Sequence, residues 1–193
     1  NPAVAAERLM QTYYGHARNV SRLVGRVLDL CTPPKVRRTR RPPSEVVARG
    51  VRTFDGHVTL EHPAQLNSDP ALAIRLYHAG MRRGLPIYSF ARDAVASAVR
   101  EPEFCEVLRS SREAAKLFIE CLTTAADRPI PSPSGPRPGG SILRELHDVG
   151  LLLAMIPEFD PVVGRVHHDT YHVYTVDVHS VAAVDKLRAL TRG

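Results

Sequence analysis

No stretch of this 193-residue chain approaches the roughly 18 consecutive apolar residues that a membrane-spanning helix needs, so no integral membrane role is expected. Cysteine is scarce. Cys31, Cys105 and Cys121 are an odd number, far apart and without a CxxC pair. That pattern argues against a disulfide framework and against a structural zinc site, and it predicts reduced, buried cysteines in a cytoplasmic protein. The opening "NPAVAAERLM" has no basic leader followed by an apolar stretch, hence no secretory signal. It also has no initiator methionine, and the expectation is a piece of a longer protein. Of 26 basic residues only Lys35, Lys116 and Lys186 are lysine. The formal charge of +6 therefore rests on arginine in a chain rich in Ala, Val and Pro. A mildly basic solvated surface accounts for it better than a polyanion partner does.

Aromatic residues are missing where a single-strand nucleic-acid binder would need them. "KVRRTRRPP" (35–43) puts five positive charges into the seven residues Lys35–Arg41, followed by two prolines. Such an arm could contact phosphates, but nothing interleaves to stack on bases, so a solvated connector is preferred and nucleic acid is not the expected partner. Catalytic signatures are absent as well: no GxGxxG or GxxxxGK[ST], no GxSxG and no HExxH. "GGS" (139–141) resembles the entry to nucleotidyltransferase sites, yet no Asp-x-Asp occurs anywhere to hold the metal ions of that chemistry. "LHDVG" (146–150) resembles the doublet of HD-type phosphohydrolases. His147 and Asp148 nevertheless sit among Leu143, Leu146, Val149 and Leu151, and a pair on a helix face without metal is the preferred account.

What is present is helix. Leu9, Tyr13, Ala17, Val20, Val24, Val27 and Cys31 are spaced by three or four residues, one stripe of a long amphipathic helix over 3–31 stopped by Pro33 and Pro34. "GVRTFDGHVTLE" (50–61) alternates around Asp55-Gly56, a β-hairpin signal, read as a two-stranded ornament on a helical body. Asp69 is expected as the N-cap of a helix with Pro70 at its first position, ending at Gly84. Helices are expected near 89–100, 102–109 and 111–126, the last capped by Ser111. The segment 127–140, with five prolines, is an extended loop. "SILRELHDVGLLLAMI" (141–156) then forms one almost wholly buried helix, and "PEFDPVVGR" a tight corner. A final stripe at Val173, Val176, Ser180, Ala183, Leu187 and Leu190 predicts an amphipathic helix to the end. The fold class is all-α, a helical bundle with one small β-hairpin.

One stretch is chemically dense. "VHHDTYHVYTVDVHS" (166–180) holds His167, His168, His172 and His179 with Asp169 and Asp177 among them. His172 and His179 are seven apart and project from nearly one helical face, with Val176 between them placing His179 at the edge of the buried stripe. Sequence chemistry alone leaves two accounts, capping and packing histidines or a metal ligand, and favours the first.

A longer motif then bears on the choice. Pro157-Glu158-Phe159, Gly164-Arg165 and Tyr171-His172-Val173-Tyr174-Thr175-Val176-Asp177-Val178-His179 resemble the junction in bacterial protein-PII uridylyltransferases. There "Leu-Pro-Glu-Phe" and "Gly-Arg" precede phenylalanine or tyrosine followed by "His-x-Tyr-Thr-Val-Asp-x-His". "MQTYYGHARNVSRL" (10–23), "FDGHVTL" and "DPALAIRLYHAG" are similar to the same family in placement. The resemblance implies an enzyme that attaches UMP to the PII signalling protein and removes it, using UTP as donor and a divalent metal (Mg or Mn) in an HD domain. On that resemblance residues 1–165 are the helical linker and residues 166–193 the start of the HD domain. His179 is implied as the first metal ligand, with the remaining ligands beyond Gly193. His172, Tyr174 and Asp177 are implied to brace the start of its helix. Val178 and Ser180 stand where the family usually has Glu and Thr; neither position is a ligand. For this piece alone the expectation is no turnover and no bound cofactor.

Overall fold

The computed structural model describes residues 2–31, 44–123, 141–166 and 174–190. The connector Lys35–Arg41, the segment 127–140 and His167, His168, Asp169 and His172 lie outside the described residues. Helices dominate, with one small sheet, as the patterning implied: α1 Pro2–Cys31, α2 Ala71–Arg83, α3 Ser89–Ala98, α4 Pro102–Ser110, α5 Arg112–Thr123, α6 Ile142–Val149, α7 Leu151–Met155 and α8 Val176–Leu190. Among the described residues no helix is long and apolar enough to cross a membrane.

Helix α2 sits at the centre. From Ala71 to Met81 every residue but His78 is buried, because α5, α6 and all three strands pack around it. Asp69 does not cap this helix with its side chain. Its carboxylate instead accepts hydrogen bonds from Arg75 (3.0 Å) and Arg49 (3.3 Å). Arg75 is itself buried, and its guanidinium also donates to Glu113 of α5 and to the Arg49 carbonyl (3.1 Å). Burying a cation without such partners would be strongly unfavourable, so the carboxylate is committed there. Gly84 ends the helix in the left-handed conformation, φ 62°.

The hairpin is real and larger than an ornament. β1 (Val46–Ala48), β2 (Val51–Phe54) and β3 (His57–Leu60) form an antiparallel meander in that order. Asp55 and Gly56 both adopt positive φ (53° and 74°), as the tight hairpin turn requires, pairing Phe54 with His57 and Val51 with Leu60. Strand β1 joins by an irregular pairing at Val46 and Ala48, too short to announce itself by alternation. Val51 and Val58 are fully buried against the helices. Ile87 pairs with Val58 as a parallel bridge, flanked by hydrogen bonds from Val58 N–H to Pro86 O and from Tyr88 N–H to Val58 O, both 2.8 Å. A Cβ on Gly80 would come within 2.7 Å of the Ile87 Cδ1, so glycine there lets the sheet and α2 close on one another.

Other expectations are adjusted by the packing. Ser111 caps α5 as foreseen, its Oγ accepting from Ala114 N–H at 3.2 Å. The long helix expected over 141–156 is divided, because Gly150 takes φ 93° and ends α6 before α7 begins. Pro157–Val162 forms a 3-10 helix at the corner. Cys121 is buried, but Cys105 is half-buried and Cys31 is exposed, so only part of the cysteine expectation holds; all three are free thiols. Burial pushes the Cys121 thiol up to about 12. Helix α1 meets the body through its polar side, by Gln11 Nε2–H to the Val163 carbonyl (3.4 Å) and Arg100 to the Asn19 amide oxygen (3.1 Å). Its apolar stripe points away, with Leu9, Tyr13, Val20, Val24 and Val27 all more than half exposed.

Helix α6 is the second anchor. Ser141 Oγ caps it, accepting from Arg144 N–H at 3.1 Å. Glu145 is buried and accepts from the Arg92 guanidinium of α3 at 3.1 Å. Burial raises the Glu145 pKa above its ordinary 4.5, and Arg92 only partly offsets this. The fully buried Tyr77 hydroxyl lies in the same neighbourhood and is raised for the same reason.

Two outcomes follow from this packing. Replacing Ile87 by Ala should lower unfolding free energy by about 2–5 kcal/mol in urea titration, whereas Val46→Ala on exposed β1 should change it by less than about 0.5 kcal/mol. Equal small losses would mean that the sheet is peripheral. For Glu145 the native pKa lies above the unfolded one, so its favourable contribution is complete below the unfolded value and is lost as pH rises through the native value. The stability of Glu145→Gln relative to the parent should therefore increase between about pH 4 and pH 7. A flat difference across that range contradicts the raised pKa.

Candidate functional site

Two residues after Glu145, and so on the opposite side of α6, lies His147. Its ring is 4% exposed, and its Nε2–H donates to Asp177 Oδ2 at 2.9 Å. Asp177 is completely buried in the first turn of α8. Where the carboxylate is ionised it can only accept, and the ring then donates from Nε2. On the other side of the ring Nδ1 is 3.4 Å from the half-exposed Asp148 Oδ1, a longer and weaker contact. Phe159 meets the imidazole edge-on, with centroids 6.3 Å apart.

The entry to α8 is fixed nearby. Val176 N–H donates to the Arg165 carbonyl at 2.8 Å, and His179 N–H to Thr175 O at 2.9 Å. Thr175 and Val181 are buried, the latter within the hydrophobic cluster that α2 and α6 share. Near the far end of α8 the Arg188 guanidinium donates to the Leu122 carbonyl of α5. The helix therefore turns Asp177 and Val181 inward rather than the expected stripe, and Leu187 and Leu190 stay exposed. Periodicity alone misassigned this face because the deciding partner of Asp177, His147, is thirty residues away and polar.

That rotation places the candidate residues. His179 is exposed rather than at the edge of a buried stripe, and Tyr174 is 62% exposed. His172 is outside the described residues. Asp177 is brought together with His147, a pairing that sequence analysis missed. His147 was considered only as half of a doublet with Asp148, and the signal that could have found its partner is an acid inside an otherwise buried first turn. Among the described residues no group of three or more His, Cys, Asp or Glu side chains converges to hold a metal. His179 is one imidazole, and the nearest acid on its helix already faces His147.

A small pocket elsewhere, beside Arg49, Gly50, Gln65, Ser68, Asp69 and Arg75, is a poor anion site, since Asp69 already occupies both arginines.

No family model and no solved structure matches the chain. Two curated proteins do, each over 97% of it. One is the bifunctional uridylyltransferase/uridylyl-removing enzyme of Gluconobacter oxydans (strain 621H), 29% identical over 189 residues. The other, of the same description, is from Azospirillum brasilense, 29% identical over 200 residues. The chain spans 19% of the length of each. Nearly end to end, then, this chain is similar to one part of the bifunctional uridylyltransferase/uridylyl-removing enzymes, the family its 157–179 motif resembles.

Proposed function

We propose that the chain is the helical segment of a protein-PII uridylyltransferase/uridylyl-removing enzyme, with residues 1–165 as a linker and 166–193 as the start of its HD domain. The observation that carries this is the alignment over 97% of the chain with two enzymes of that description. In this reading the segment does no chemistry alone. It holds the two catalytic parts in register, and PII, UTP and UMP are partners of the longer cytoplasmic protein. The divalent metal of that protein would draw one donor from this chain, the exposed His179, with its other ligands contributed from outside the described residues. His172 and Tyr174 support the entry to its helix.

The exposed stripe of α1 favours a second reading, a helical interaction module that keeps the fold without the chemistry. The two separate on the longer reading frame and its enzyme. The proposal expects a Gly-Ser … Asp-x-Asp motif upstream and a His-Asp doublet downstream. It also expects His179→Gln to slow UMP release from uridylylated PII by at least the roughly 10–100-fold that perturbing a metal's surroundings costs, with UMP attachment unchanged. A frame with neither motif, or release unaffected by His179→Gln, contradicts it.

A further inference from the structure

His147 lies outside the motif that carries the family resemblance, yet it makes a buried polar contact between α6 and α8. The pair is shielded on both sides, with the ring 4% and the Asp177 side chain 0% exposed. Apolar contact between two helices is non-directional and can be satisfied by more than one rotation. A buried hydrogen bond cannot, because displacement breaks it where no water can replace the lost partner. Asp177 stands two residues before His179 on the same helix, so whatever fixes Asp177 fixes the direction from which the His179 side chain leaves α8.

Helix α6 is itself held from the other side by Glu145 and Arg92. The backbone bonds at Val176 and Thr175 set where α8 begins, and side chains set its rotation about its own axis: Asp177 on His147 at its first turn, Val181 in the core, and Arg188 on the Leu122 carbonyl near its end. The rotation observed is the one the apolar stripe did not select: Leu187 and Leu190 remain in solvent while Asp177 is inside. The polar pair therefore overrides the apolar pattern.

We propose that His147 is a positioning residue, whose hydrogen bond to Asp177 sets the rotation of α8 and so aims His179. The role in aiming a functional imidazole rests on the function proposed above; the rotation of α8 does not.

The test separates them. In the 193-residue chain, His147→Leu removes the donor, while His147→Gln keeps an N–H near the Nε2 position. Hydrogen exchange followed by mass spectrometry should show α8 amides exchanging about ten-fold faster or more in His147→Leu, the loss expected for one hydrogen bond to an ionised group. Exchange in α2 and α5 should be unchanged, and His147→Gln should recover most of the α8 protection. Asp177→Asn, which keeps an acceptor, should perturb α8 less than His147→Leu and serves if the leucine variant fails to fold. Unchanged α8 exchange in His147→Leu overturns the proposal. So does faster exchange spread evenly over α2, α5 and α8, and so does a glutamine variant no better than leucine. In the longer enzyme His147→Leu should slow UMP removal about ten-fold or more while UMP attachment stays within about two-fold, and His147→Gln should restore removal. Equal loss of both activities overturns the aiming role. If His179→Gln leaves removal intact while His147→Leu still loosens α8, the functional reading fails and the positioning of the helix stands.

Discussion

Helix α2 has almost no solvent face, and the rest of the molecule is arranged around that constraint. A helix enclosed on every side must carry small or apolar side chains, or bring partners for any polar group it takes inside. The sequence Ala71–Met81 does both. Its alanines and Gly80 let neighbours approach, and Arg75 arrives with Asp69, Glu113 and the Arg49 carbonyl already in place. Those partners come from the turn after β1, from the loop before α2 and from α5, so satisfying one guanidinium draws three separate segments onto the same helix.

From α2 the order propagates to α6 and then to α8. Helix α6 packs on α2 and α3 and has two buried polar side chains on opposite faces. Glu145 faces α3 and His147 faces α8. Each is close to its ideal partner, and each would destabilise the fold if that partner were lost. This is a physical route by which one packed helix can set the placement of another. The exposed His179 leaves the same helix two positions after the buried Asp177.

Much of this was legible in the chain before any coordinates. The long first helix, the hairpin at Asp55-Gly56, the Ser111 cap and the stop at Gly84 are local signals, and each depends on interactions within a few residues. What escaped were consequences of distant packing. Asp69 looked like a cap because its spacing to Pro70 fits one, but Arg75 and Arg49 hold its carboxylate. The helix over 141–156 looked continuous because its hydrophobicity is, and only the left-handed Gly150 divides it. The inward face of α8 was misjudged because the acid at Asp177 is buried against a histidine thirty residues back while Leu187 and Leu190 stay exposed. For the candidate site, the motif singled out His179 and Asp177, but periodicity could not say that Asp177 would be buried and His179 exposed.

The claim at the centre of this account is that one buried hydrogen bond ties α6 to α8. A double-mutant cycle with His147→Ala, Asp177→Ala and the double variant, read by urea unfolding of the chain, measures it directly. The account predicts a coupling free energy of about 1.5–3 kcal/mol, the range for hydrogen bonds to ionised groups. Additivity of the two substitutions within about 0.5 kcal/mol would show that the two residues are merely neighbours in the core.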